Sequence, residues 1–92
     1  MLIPINLENL YKFKSELYEQ CEILNEKTIL DESTGEYKLI IELNSRKLGS
    51  FSKIIHKIEV TSKKQGNNFS YIEISNNLWL IEFFWIIEKL MN

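Results

Sequence analysis

Few side chains in this sequence could carry chemistry. The 92-residue chain holds one histidine, His56, and one cysteine, Cys21. A histidine works as a general base only when it faces a second functional group. A cysteine works as a nucleophile only where its surroundings favour the thiolate. Cys21 falls on an apolar stripe near the N-terminus, which predicts a buried and inert thiol. His56 shares its side of an alternating run with Ile54, Ile58 and Val60, which predicts a hydrogen-bonded core or edge residue. One Cys and one His fall short of a zinc ligand set, and no carboxylates carry the spacing of a calcium loop. Gly35, Gly49 and Gly66 stand singly, so there is no glycine-rich phosphate loop. These residues predict a protein that is not an enzyme and uses no metal or cofactor.

Binding chemistry is the alternative. Eleven basic and thirteen acidic residues leave a net charge of −2, without the basic field that displaces counterions from phosphate. The nearest approach to one is the group Lys53, Lys57, Lys63 and Lys64. Nucleic acid is therefore the disfavoured partner class, with Phe69 and Tyr71 as the stacking residues if that group were used. A hydrophobic content of 45% is ordinary for a folded domain and too high for a disordered chain. Ninety-two residues make one domain, 1–92, of modest stability. One cysteine excludes an intrachain disulfide, and the N-terminus lacks the basic and apolar regions of a signal peptide. Both features predict a cytoplasmic protein. The absence of alanine beside abundant Ile, Asn and Lys points to an AT-rich genome, such as a low-GC bacterium or its phage.

The elements that must position these residues follow from periodicity. Leu7, Leu10, Phe13, Leu17, Cys21 and Leu24 recur at spacings of three and four, which predicts a helix over residues 7–25 with Asn6 as its cap. Two β-rich runs flank "DESTG", where Gly35 offers a positive φ, so strands are expected near 27–31 and 37–43. In the second of these, Tyr37, Leu39 and Ile41 face the helices, and Lys38, Ile40 and Glu42 face away. "KIIHKIEVTS" fits a helix or a strand; its β-branched content and the "KKQGNN" turn favour strands at 53–62 and 69–75. That second hairpin places Ile72 and Ile74 inward and Phe69 and Tyr71 outward. No repeat is visible.

The chain closes on "NNLWLIEFFWIIEKLMN". A membrane helix needs about 20 apolar residues, and Glu82 interrupts this shorter run, so no membrane span is expected. Asn76–Asn77 could turn the chain into a further strand. Length favours a helix over 78–91 instead, apolar nearly all round. The expected fold class is α+β: an N-terminal helix, a four-stranded antiparallel sheet of two hairpins, and a C-terminal apolar helix packed on the sheet.

The expected function is a small protein-binding module, of the inhibitor or immunity type encoded by mobile elements, whose partner is another protein. Glu16, Glu19, Glu22 and Glu26 form an acidic set suited to a basic partner, and Phe69 and Tyr71 are aromatic anchors on the open sheet face. The excess apolar surface of the terminal segment predicts a homodimer through Trp79, Phe83, Trp85 and Ile86.

Overall fold

A computed structural model describes the backbone of residues 7–65 and 68–86, and the side chains of residues 9–62 and 69–84. The elements run α1 (Leu7–Gln20), β1 (Glu22–Asp31), β2 (Glu36–Asn44), α2 (Leu48–Gln65), β3 (Asn68–Ser75) and β4 (Leu78–Ile86). The four strands form one antiparallel sheet in the order β1-β2-β4-β3, so the class is α+β. Helix followed by hairpin occurs twice, and the two units join through the central β2–β4 pair.

In α1, Leu10, Phe13 and Leu17 are buried, and so is Cys21 just beyond its end. The helix is shorter than its apolar stripe predicts. The Cys21 amide donates to the Leu17 carbonyl at 2.9 Å, and the next residue already pairs with Asn44 in the sheet. Leu24, the last member of the expected stripe, lies beside a register shift in β1 and is exposed. Asn6 lies outside the described residues.

Residues 53–62 are helical, not a strand. The helical spacing of Phe51, Ile54, Ile55 and Ile58 buries all four, whereas alternation would need His56 and Val60 inside, and both are exposed. β-Branched content yields here to the burial of one helical face.

Residues 78–86 are a strand, not a helix. Ile81 and Phe83 are fully buried, while Leu80, Glu82 and Phe84, which alternate with them, are only half-buried. That alternation is the pleat of a sheet with one covered face. The rest of the expected helix, 87–91, lies outside the described residues. The second hairpin is therefore β3–β4, turned at Asn76–Asn77, with Asn77 at a φ of 62°. Asn tolerates this left-handed region better than most side chains. In the first hairpin Gly35 takes the same region at 72°, and its amide donates to the Asp31 carbonyl at 2.8 Å.

Both helices cover one face of the sheet. Leu39 lies opposite Phe83, Ile41 opposite Ile81, and Leu43 opposite Trp79, and these rungs meet the buried faces of α1 and α2. Fully burying one such aliphatic or aromatic side chain is worth about 1.5–3 kcal/mol, so the β2–β4 pair anchors the core.

Candidate functional site

Cys21 and His56 do not form a catalytic pair. Cys21 is buried in the core, where desolvation pushes its thiol above the ordinary value despite the opposing charge of Arg46. His56 is exposed on α2, at the rim of a cleft of about 220 Å³ lined also by Phe51, Glu59, Tyr71 and Trp79. Cys21 does not line that cleft. No group of three or more His, Cys, Asp or Glu residues suited to a metal ion occurs among the described residues. No helix among them is long and apolar enough to cross a membrane.

The acidic set is dispersed and largely neutralised. Glu16 and Glu19 lie on α1, Glu22 and Glu26 on β1. Glu16 accepts from Lys57 of α2 at 2.7 Å, Glu22 lies 3.4 Å from Arg46, and Glu26 accepts from Lys14 at 2.6 Å. Glu16 thereby fastens α1 to α2 and Glu26 fastens β1 to α1, while Glu22 ties β1 to the β2–α2 connection. Glu19 has no ion pair among the described residues and lines an open concavity of about 350 Å³ with Gln20, Ser50 and Lys53.

Phe69 and Tyr71 turn toward the helices, the reverse of the expected parity. Phe69 is partly buried against Phe83, with ring centroids 5.2 Å apart. Tyr71 is exposed at the sheet edge, and its hydroxyl donates to Glu59, which raises its pKa. Ile72, expected inside, is 60% exposed, and Ile74 is exposed as well. Of the four residues expected at a self-association surface, Phe83 is wholly inside the chain's own core and Trp79 stacks on Phe51 at 4.7 Å. Trp85 and Ile86 continue β4 opposite Tyr37 and Glu36.

The unused surface is the other face of the sheet, called the outer face below. Three successive rungs cross it. Ile29, Lys38 and Phe84 share one, Lys27, Ile40, Glu82 and Ser70 the next, and Asn25, Glu42, Leu80 and Ile72 the third. No other described residue packs over these positions. The polar contacts run along the face itself. Lys38 lies 3.4 Å from Glu82 and 5.2 Å from the centre of the Phe84 ring, and Ser70 donates to Glu82 at 3.4 Å. Lys38, Ile40 and Glu42 stand where alternation in β2 predicts. Leu80 and Phe84 were hidden by the helical reading of 78–91, and Ile72 by the opposite parity of β3; period-two burial in β4 is the signal that reveals them.

No protein-family model matches the chain, and no curated protein or solved structure matches it at a significant level.

Proposed function

We propose that this chain is a non-enzymatic protein-binding module that docks a polypeptide against the outer face of its sheet. One observation carries the reading: Ile29, Ile40, Phe84, Leu80 and Ile72 share three consecutive rungs of a face that no other described residue covers. An antiparallel sheet facing water normally presents polar residues there. The five stand among Lys27, Lys38, Glu42 and Glu82 on the same rungs, and such a mixture of apolar and charged side chains is that of a protein interface.

The finer reading, an inhibitor or immunity-type protein from a mobile element, rests on size and composition alone. An acidic docking surface on α1 and β1 gains no support, because three of its four carboxylates are ion-paired. The nucleic-acid alternative loses its stacking platform, since Phe69 is packed against Phe83 and Tyr71 is engaged with Glu59. Lys57 is held by Glu16 as well.

Site-specific photocrosslinking tests the docking face. A benzophenone side chain at Ile72, on the outer face, should give discrete protein adducts in cells expressing the chain. The same group at Val60, exposed on α2, should give none. Adducts from both positions alike, or from neither, would overturn the assignment.

A further inference from the structure

We propose that β3, an open edge of the sheet, takes up an extended segment of another protein as a fifth, antiparallel strand. That segment carries two basic residues with one apolar residue between them. The edge is a surface separate from the outer face, and the inference does not depend on that face.

The two edges of the sheet differ. β1 and β3 end the strand order, and among the described residues each pairs on one side only. Backbone N–H and C=O groups on the other side form a template for a further strand. Charged side chains blunt such an edge. Along β1 stand Glu22, Glu26, Lys27 and Asp31. β3 has a single charged residue, Glu73, and neither glycine nor proline. From Asn68 to Glu73 its register with β4 is unbroken, and the shift comes only beyond Glu73. Tyr71, Ile72 and Ile74 are all exposed. β3 is therefore the edge left open to pairing.

Charge then selects the occupant. Tyr71 and Glu73 lie on the helix side of the sheet, opposite Ile81 and Trp79 of β4. Glu73 is exposed and has no ion pair among the described residues. The Tyr71 hydroxyl donates to Glu59 of α2, so a second carboxylate stands at the tip of that ring. Glu59 too has no ion pair among the described residues. Both Tyr71 and Glu59 line the cleft of about 220 Å³, which no lysine or arginine lines. Directly opposite residues on paired strands have Cβ atoms about 4.5–5.5 Å apart. A basic residue opposite Glu73 therefore makes a cross-strand ion pair. A second one, opposite Tyr71, lays its stem along the ring and brings its head to Glu59. The residue between them turns to the other side of the sheet beside the exposed Ile72, which calls for an apolar side chain.

A second copy of this chain does not supply such a strand. Lys27 in β1 and Lys38 in β2 stand singly, and β3 and β4 hold no basic residue. The occupant belongs to a different protein.

Amide hydrogen exchange on the full chain, read by NMR, tests the inference with a capped peptide, Ser-Thr-Lys-Val-Lys-Thr-Ser. At millimolar concentration it should slow alternate amides of β3, those that point away from β4, severalfold and leave β1 unchanged. Replacing both lysines by glutamate should weaken binding roughly tenfold, because attraction becomes repulsion at two positions. Glu73→Lys should bind a peptide with Glu-Val-Lys at its centre more tightly than the Lys-Val-Lys peptide, and the wild type should prefer the reverse. The lysine and glutamate peptides on the wild type decide the matter if Glu73→Lys does not fold. No slowing at β3, equal slowing at β1, or equal binding of the lysine and glutamate peptides would overturn the proposal. A peptide that perturbs Ile40 and Leu80 without protecting β3 would remove the added strand and leave the docking face standing.

Discussion

Glu26 holds β1 to α1 through two side chains of one helix. Burial pushes its carboxyl upward, but hydrogen bonds from Lys14 and Tyr18 outweigh that and leave its pKa below the ordinary glutamate value. Lys14 moves upward, chiefly through the same hydrogen bond. A carboxyl lowered on folding adds stability above its unfolded pKa and loses it as pH falls through the folded value. A raised lysine adds stability below its unfolded pKa and loses it as pH rises through the folded value. The pair is therefore fully effective across neutral pH, and acid removes the Glu26 share only below the ordinary glutamate range. Glu26→Gln should cost on the order of 0.5–1 kcal/mol at pH 7, the scale of a partly exposed pair. The difference from wild type should close as pH drops below about 4. Urea unfolding across that range checks it, and a cost unchanged at low pH would exclude the ionic origin.

At the scale of elements, the strands and helices differ in how plainly the sequence displays them. α1 was legible because its apolar residues form one stripe with charges elsewhere, and β2 because it alternates cleanly; both follow from having one covered and one open side. α2 satisfies the helical and the strand period at once over residues 54–58, and only packing against the sheet selects between them. β4 misleads for a different reason. It is a central strand, with Ile81 and Phe83 in the core and Leu80 and Phe84 on an apolar outer face, so apolar residues stand on both sides of the pleat. Such a run cannot be separated from a buried helix by period alone. The same fact explains why the candidate site was half legible: Lys38, Ile40 and Glu42 come from an alternating strand, while Leu80, Phe84 and Ile72 depend on parity that only the fold reveals. Two lysine substitutions test the assignment. Phe83→Lys buries an unpaired charge and should abolish cooperative unfolding. Leu80→Lys, one residue beyond Ile81 and on the outer face, should leave a folded chain with a strand-rich spectrum. A helix would place the two positions on neighbouring parts of one apolar face, and both substitutions would then damage the fold alike.

For the molecule as a whole, the decisive feature is that two helix–hairpin units share one core. The repeat is invisible in the sequence because the units differ in helix length, turn length and nearly every side chain, and only the order of elements is common to them. Neither unit closes a core alone. Leu39 and Ile41 of the first meet Phe83 and Ile81 of the second across the central strand pair, and Lys57 of α2 reaches Glu16 of α1. A segment of about 45 residues cannot bury enough surface to fold without a staple such as a disulfide or metal, and this chain has a single cysteine. Cutting between β2 and α2 should therefore give two fragments, 1–46 and 47–92, that each lack a cooperative thermal transition. Mixing them in equal amounts should restore strand signal and a transition whose midpoint rises with concentration, because folding has become a binding reaction. A fragment that melts cooperatively alone would mean that one unit holds a core of its own, and that the β2–β4 seam joins two finished parts instead of completing one.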